Sequence, residues 1–251
     1  DFISQESSEN LLNLDNCKFS NNLGFSGAVL TSNGEINIIN SGFYGNFGVE
    51  CVLGIGNSLI YNETENLLSK GTLIDNCEFS QNSSLFASTI LIFMSLYDIT
   101  NNTFSENSIM SGGDTRFSYE SLLDKSSSKF PDLFNDKVRN SRQPQGSVIL
   151  AYGNLLVLNS FFGESLQLES PEELFYVYPE IVSTIEGNEI YNNTSKSGTI
   201  LSYYELQKIN SNNIHNNSAD FGGAAACEMS ITLLTNNLFY RNQAIFGQAV
   251  F

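Results

Sequence analysis

Side chains that could perform nucleophilic chemistry are scarce in this sequence of 251 residues. The single histidine, His215, has no serine or cysteine beside it in an evident motif. Such a nucleophile needs a neighbouring base, most often histidine, to activate it. We therefore predict that His215 is a surface or groove residue and that the chain has no catalytic residue of this kind.

Carboxylates are the other candidate catalysts, because glycosidases use two carboxyl groups about 5–10 Å apart. Asp15 and Asp75 occupy one position of a repeat described below, two repeats apart. Glu186 occupies that position farther along, beyond Thr100 and Leu158. A lyase would also need clustered carboxylates for Ca²⁺ and a basic residue as base, and the regular repeats contain few basic residues. The sequence thus predicts no catalytic, metal-binding or cofactor-binding site.

Two other groups of residues are candidates for binding and modification. Phe175, Tyr176 and Tyr178 are flanked by glutamates, and aromatic side chains of this kind anchor interfaces. They predict either a ligand-binding or interface loop or a patch that packs against the body of the protein. Sequences for N-linked glycosylation, Asn-X-Ser/Thr, predict glycans at four surface asparagines if the chain is secreted by a eukaryote: Asn62, Asn82, Asn193 and Asn216.

Composition excludes several classes of partner. The formal net charge is −16 and the isoelectric point about 4.2, whereas nucleic acids and anionic membranes bind basic patches. No apolar run in the sequence approaches the length of about 20 residues that a membrane span needs. The basic residues concentrate in the segment 108–146, which either contacts an acidic neighbour or extends into solvent; they are Arg116, Lys125, Lys129, Lys137, Arg139 and Arg142.

A repeat of about 24 residues positions all of these candidates. Its anchor is a large apolar residue, found at Phe19, Phe43, Phe79, Phe104, Phe162, Ile190, Ile214 and Phe239. An aliphatic residue stands five positions before each anchor, at Leu14, Ile38, Ile74, Ile99, Val157, Ile185, Ile209 and Leu234. Within each repeat apolar and polar residues alternate, which is typical of β-strands. Short strands at this period predict the coils of a parallel β-helix, in which like residues stack about 4.8 Å apart.

A polar column is predicted to run beside the apolar ones. Three positions before the anchor the residue is usually asparagine, which tolerates the backbone angles of a bend. We predict that these amides form an inward hydrogen-bonded ladder, because a buried amide without a partner costs about 1–3 kcal/mol. Gly187 and Ser211 interrupt the predicted ladder, whose members are Asn16, Asn40, Asn76, Asn101, Asn159 and Asn236.

The repeat resembles that of polymorphic membrane proteins. The resemblance is carried by Phe-X-X-Asn, as from Phe19 to Asn22, combined with Gly-Ala-Val at residues 27–29 or Gly-Gly-Ala at residues 222–224. More broadly it is similar to the right-handed parallel β-helices of the pectin-lyase-like fold, a family of adhesins, surface proteins, phage tailspikes and polysaccharide lyases or hydrolases. The resemblance implies an all-β, single-stranded right-handed solenoid of about eight coils. Three insertions are expected, at about 54–71, 108–146 and 166–182.

These observations predict one domain over residues 1–251, with a polar lead-in at 1–10. The last repeat has no polar cap, so we expect a segment of a longer chain or of an assembly that stacks end to end. Four cysteines are expected to remain unpaired in the core. The favoured function is a non-enzymatic, extracellular structural protein of a surface filament or coat. The alternatives are an adhesin or glycan-binding surface module and a polysaccharide lyase or hydrolase.

Overall fold

The computed structural model describes residues 11–24, 27–56, 59–62, 67–85, 88–109, 147–155, 157–158 and 171–250. Parallel β-strands dominate this part of the chain, with 60% strand and 7% helix. The strands are numbered along the chain, and those far apart in sequence lie side by side in stacked parallel sheets. This arrangement is compatible with a parallel β-helix.

Two seven-stranded sheets and one six-stranded sheet contain most of the strands. The first sheet consists of β1 (Leu11–Asp15), β5 (Glu35–Ile39), β11 (Thr72–Asp75), β15 (Tyr97–Thr100), β19 (Ser183–Glu186), β22 (Leu206–Asn210) and β26 (Ile231–Thr235). The second consists of β2 (Lys18–Ser20), β6 (Gly42–Tyr44), β12 (Glu78–Ser80), β16 (Thr103–Ser105), β20 (Glu189–Tyr191), β23 (Asn213–His215) and β27 (Leu238–Tyr240). The third consists of β4 (Leu30–Asn33), β8 (Cys51–Gly56), β14 (Ser88–Phe93), β18 (Ser147–Tyr152), β21 (Ile200–Tyr203) and β25 (Ala225–Glu228).

Smaller sheets and two helical elements complete the described structure. A four-stranded sheet contains β3 (Leu23–Gly24), β7 (Phe47–Gly48), β13 (Ser83–Ser84) and β17 (Ser108–Ile109), and β24 (Ser218–Phe221) pairs with β28 (Gln243–Phe246). An antiparallel hairpin, β9 (Leu59–Asn62) and β10 (Leu67–Lys70), lies within the predicted insertion at 54–71. Helix α1 (Pro171–Val177) and a 3₁₀ turn (Pro179–Ile181) lie within the predicted insertion at 166–182.

Consecutive strands along the chain contribute one strand to each large sheet in turn, and we call each such set a level. Seven levels pair in register in the second sheet, so that the predicted anchors stack directly: Phe19, Phe43, Phe79, Phe104, Ile190, Ile214 and Phe239. The first three ring-to-ring distances between these phenylalanines are 5.0, 4.5 and 4.8 Å. The stacked rings and the aliphatic column beside them form the core.

One predicted repeat is wrong. Phe104 pairs directly with Ile190, and Ile99 with Ile185, so no level containing Val157, Asn159 and Phe162 lies between them. Val157 is buried in a helical segment instead, while Asn159 and Phe162 lie outside the described residues. The reason is that β18 already completes the fourth level, and the next described strand that joins the large sheets is β19, which starts the fifth.

The third sheet differs from the first two because it is buried on both faces. Strands β8, β14 and β18 are buried at every residue, whereas β5 and β11 alternate between buried and partly exposed residues. Ile90, Ile149 and Ile200 stack in the main core. Their chain neighbours Leu91, Leu150 and Leu201 belong to a second cluster on the outer face. The continuous apolar runs of these strands reflect this double burial.

Candidate functional site

The bends between strands contain the polar side chains whose placement is most regular. At the bends just before and just after the anchor, a residue with positive φ is exposed to solvent, and the next residue turns inward. Asparagine favours this backbone conformation because its short polar side chain tolerates it. At the bend after the anchor, the inward residue is asparagine in all seven levels: Asn22, Asn46, Asn82, Asn107, Asn193, Asn217 and Asn242.

These seven asparagines form an uninterrupted ladder. Asn82 is typical: its backbone N–H and its Nδ2 donate to Oδ1 of Asn107 at 3.0 and 3.1 Å, and its Nδ2 also donates to the carbonyl oxygen of Phe43 at 2.8 Å. Asn107 makes the same bonds to Asn193 and Phe79. The pairs above and below follow the pattern. Each level therefore satisfies buried polar groups of its neighbour.

A second, shorter ladder runs along the bend before the anchor. Asn102, Asn188 and Asn212 each donate from the backbone N–H and from Nδ2 to Oδ1 of the next member, which ends the run at Asn237. In the three earlier levels this position holds Cys17, Ser41 and Cys77, and the N–H of Cys77 donates to Oδ1 of Asn102 at 2.8 Å.

The predicted inward ladder is therefore misplaced by one residue. The predicted column is exposed and has positive φ at its described members, Asn16, Asn40, Asn76, Asn101 and Asn236. Within it only Asn76 donates to another member, Asn40, at 2.7 Å. The left-handed residue points its side chain outward, so the inward amide belongs to its successor. Gly187 and Ser211 interrupt no buried ladder, because the inward residues beside them are Asn188 and Asn212.

His215 lies in an outward stack on the second sheet. Its ring is sandwiched between those of Tyr191 and Tyr240, with centroid distances of 5.3 and 4.5 Å. Its Nε2 is 2.7 Å from Oε1 of Glu189, and its Nδ1 is 2.9 Å from Nδ2 of Asn216. Both ring nitrogens are thus engaged with neighbouring side chains, which is the arrangement of a structural histidine.

Asp75 and Glu186 are separated by one level in the structure, whereas the sequence predicts two levels between them. Asp75 and Glu186 pair in register with Thr100 from either side, so they are two levels, about 10 Å, apart. Leu158, predicted to stand between them, is buried in the cluster that packs beneath helix α1. Asp75 accepts hydrogen bonds from Thr100 at 2.6 Å and Asn101 at 2.9 Å.

Helix α1 and the residue that follows it, Tyr178, present two tyrosines to solvent. Leu174 is buried and Phe175 is packed against the same cluster, which also contains Leu96, Leu158, Ile181 and Leu206. Tyr176 is 77% exposed and Tyr178 is 39% exposed. The predicted aromatic loop therefore divides: Phe175 packs on the body of the protein, and the two tyrosines remain on the surface.

A buried carboxyl that the sequence did not indicate lies between strands β21 and β22. Glu205 is 1% exposed, and its Oε1 accepts the backbone N–H of Asn154 at 3.0 Å. Burial raises the pKa of the Glu205 carboxyl well above its usual range, and the hydrogen bonds from Asn154 and Tyr97 offset this only in part. Asn154, Glu205 and Ser230 each follow a residue with positive φ, as the ladder asparagines do, but Gly153, Tyr204 and Met229 share no feature that would mark these bends in the sequence.

Burial divides the predicted glycosylation sites. The prediction that Asn82 and Asn193 lie on the surface is corrected. Both are ladder members with at most 1% exposure, and the Nδ2 of each donates two hydrogen bonds. Asn216 is exposed, as are the acceptor sequences at Asn101 and Asn192. The side chain of Asn62 lies outside the described residues.

We expect folded protein secreted from a eukaryotic host to bear glycans only at exposed asparagines such as Asn216, because a glycan on Nδ2 of Asn82 or Asn193 would remove a ladder donor. The measurement is mass spectrometry after enzymatic deglycosylation in ¹⁸O water. Substituting Asn216 by Gln should remove one glycan without loss of folding. A glycan at Asn82 or Asn193 in the folded fraction would contradict this assignment.

Cysteines, metal-binding groups and membrane-spanning helices are the remaining candidate features. None of the four cysteines forms a disulfide, and burial raises the pKa of the Cys77 thiol to about 11. The described residues contain no group of three or more His, Cys, Asp or Glu side chains that could hold a metal ion. No helix within the described ranges is long and apolar enough to cross a membrane.

Comparisons with protein-family models, with curated proteins and with solved structures return no match. The resemblance to polymorphic membrane protein repeats therefore depends on the repeat residues alone.

Proposed function

We propose that this chain is a segment of a right-handed parallel β-helix with a non-enzymatic structural role in an extracellular filament or coat, assembled by end-to-end stacking. The observation that supports it most is the seven-level asparagine ladder, which repeats the same bonds without interruption. The hydrogen bonds of this column make the protein rigid along one axis, and the buried polar groups are used between levels and not to line a cleft.

The ladder also supports a direction of assembly. In every pair the earlier level donates from Nδ2 and the later level accepts at Oδ1. Within the asparagine column each level therefore presents an Oδ1 acceptor to the earlier level and an Nδ2–H donor to the later level, so a further coil that continues the column has the same orientation. Head-to-tail contacts generate filaments when the rotation between successive copies does not close a ring, and stacking along one axis is such an arrangement. The net charge of −16 makes the sides of neighbouring molecules repel each other, which favours solubility over side-by-side association.

Electron microscopy and sedimentation of the protein from its native source test the assembly proposal. We expect filaments whose fibre diffraction shows a strong reflection near 4.8 Å along the axis, and a sedimentation coefficient that rises with concentration. Dispersed short rods at all concentrations, in protein that retains its circular dichroism, would contradict the assembly part of the proposal.

An adhesin or glycan-binding role is the second candidate. Its support is that Tyr176, in helix α1, and Tyr178, directly after it, are exposed and lie outside the β-sheets. Substituting both by Ala should abolish binding to a glycan array and leave filament length unchanged. The control is Tyr240→Ala, which changes an aromatic residue of the second sheet that is 37% exposed. If the double variant binds as the parent does, helix α1 is not the ligand site.

A polysaccharide hydrolase is the third candidate, and the spacing of Asp75 and Glu186 across Thr100 is the observation in its favour. Inverting glycosidases hold their carboxyl groups about 6.5–9.5 Å apart. Product release from a panel of acidic and neutral polysaccharides, lost in both Asp75→Asn and Glu186→Gln, would establish it. Absence of product from the whole panel would remove it.

A further inference from the structure

The seventh level, strands β26 to β28, has hydrogen-bond donors that no described residue accepts. In each pair of the first ladder, the backbone N–H and one Nδ2–H bind a single Oδ1 of the next level, as from Asn217 to Asn242, both at 3.1 Å. Asn242 is itself only 9% exposed, and its Nδ2 donates to the carbonyl oxygen of Ile214 at 2.8 Å. Its backbone N–H and its second Nδ2–H have no acceptor among the described residues. This pair of donors is built to bind one oxygen atom of a following level.

The first level, strands β1 to β4, has the complementary groups. Oδ1 of Asn22 accepts no hydrogen bond within the described structure, whereas Oδ1 of Asn46, its counterpart in the second level, accepts two. Nδ2 of Asn46 also donates to the carbonyl oxygen of Phe19, the anchor of the earlier level, at 3.1 Å. Nδ2 of Asn22 donates only to Asn46 among the described residues. The acceptor and the second donor of Asn22 are therefore both available to an earlier level, whose anchor would correspond to Phe239.

The second ladder ends at the seventh level in the same way. The backbone N–H of Asn237, its last member, has no acceptor among the residues that the structure describes. The corresponding position of the first level holds Cys17. Sulfur fits this position elsewhere in the chain, because the N–H of Ser41 donates to Sγ of Cys77 at 3.4 Å and that thiol donates to a carbonyl oxygen of the earlier level at 3.5 Å. Cys17 can make the same two contacts with a level like the seventh.

The apolar columns of these two levels also match. Phe19 and Phe239 occupy one column, and Leu14 and Leu234 occupy the column beside it. All four are partly exposed and pack against the core from one side only, whereas the column members in the levels between them are fully buried. Stacking the first level on the seventh would bury like residue on like, which is favourable for apolar surface.

The two levels carry almost no charge. Arg241 is the one charged residue among the described residues 231–250, and residues 11–24 and 27–33 contain Asp15 and Lys18, one of each sign. The net charge of −16 is therefore located on other parts of the chain. Two copies can approach through these faces without the repulsion that acts between their sides.

We propose that copies of this chain join in register, with the first level of one copy following the seventh level of another as an eighth level would. We call this contact the joint. In it Asn242 donates its backbone N–H and Nδ2–H to Oδ1 of Asn22 of the next copy, and that Asn22 donates to the carbonyl oxygen of Phe239. The inference rests on the proposed end-to-end assembly, and it adds the two faces, the residues and the register of the contact.

Disulfide cross-linking tests the register of the joint. Ser20 and Tyr240 are exposed and belong to one outward column of the second sheet, at its first and seventh levels. The joint places Ser20 of one copy beside Tyr240 of the other, with Cα atoms about 4.8 Å apart, within the range of about 4.4–6.8 Å that a disulfide spans. The double variant Ser20→Cys/Tyr240→Cys should therefore form disulfide-linked oligomers on oxidation.

The matched control is Ser20→Cys/Thr235→Cys, because Thr235 belongs to the same level as Tyr240 but lies in the first sheet. It should cross-link no more than the parent, which contains only its four native cysteines. Filaments that form without extra cross-linking in Ser20→Cys/Tyr240→Cys would overturn the joint and leave end-to-end assembly in place, since the copies would then meet in another register. Parent protein that stays monomeric at every concentration in sedimentation would overturn both proposals.

A second pair of variants tests the joint without introduced cysteines. Asn22→Ala removes the acceptor of the joint together with one side-chain bond inside the chain, to Asn46. Asn13→Ala in the same level also removes one such bond, from Asn37 at 3.0 Å, but it takes no part in the joint. The protein concentration needed for assembly should rise about tenfold or more in Asn22→Ala, because buried donors of Asn242 are left without an acceptor. It should change by no more than about twofold in Asn13→Ala, and an equal change in the two variants would overturn the joint.

Discussion

Replacing Asn107 with Ala is expected to destabilise the fold by about 2–5 kcal/mol, because it leaves buried groups of the adjacent levels without partners. The backbone N–H of Asn82 loses its acceptor, and Nδ2 of Asn82 loses one of its two bonds. The carbonyl oxygen of Phe79 also loses a donor. A domain is stable by about 5–15 kcal/mol in total, so the loss is large, and urea denaturation followed by circular dichroism measures it.

The matched control for this prediction lies in the same level. Asn101 has φ of 56° and is exposed, and glycine adopts this conformation without strain. Asn101→Gly should therefore change stability by no more than about 0.5 kcal/mol, as surface substitutions generally do. Equal destabilisation by the two variants would show that the buried ladder has no special energetic role.

Replacing Phe79 with Ala should cost about 3–5 kcal/mol, the range for a buried phenylalanine truncated to alanine. Phe79 is fully buried, and its ring stacks on Phe43 at 4.5 Å and on Phe104 at 4.8 Å. The truncation opens a cavity that strands above and below cannot fill, because their register is fixed by the parallel pairing. Thermal and chemical denaturation provide the measurement.

A graded series distinguishes packing from a general effect of substitution at this position. Phe79→Leu preserves most of the volume and should cost about 1–2 kcal/mol. Tyr176→Ala removes an aromatic side chain that is 77% exposed and should be close to neutral. The expected order of destabilisation is Phe79→Ala, Phe79→Leu, Tyr176→Ala. Near-equal values for the first and third would contradict the stacked core.

Much of the core could be predicted from the sequence because one residue column corresponds to one structural column. Phe19 to Phe104 stack as the spacing of the anchors predicts. The repeat at Phe162 failed at its aliphatic position, because Val157 lies in a helical segment and not in a strand of the first sheet. Local spacing cannot reveal that β18 has already completed the level.

The polar parts were harder to predict for a different physical reason. A bend consists of an outward left-handed residue and an inward successor, and both are often asparagine, as in Asn192 and Asn193. Composition cannot tell which one is buried. Glu205 was missed because its position resembles that of an ordinary surface glutamate, and its contact with the backbone N–H of Asn154, far away in sequence, appears only in the structure.

The one-way asparagine ladder also makes the molecule electrically polar along its axis. In each rung the carbonyl oxygen points toward the earlier level and an Nδ2–H points toward the later one, and the ladder of Asn102 to Asn237 has the same sense. Amide dipoles aligned in this way add, as they do along an α-helix. The stack of levels therefore has a negative pole on the side of Asn22 and a positive pole on the side of Asn242. In an electric field the molecules should orient along their ladders even if their surface charges are neutralised.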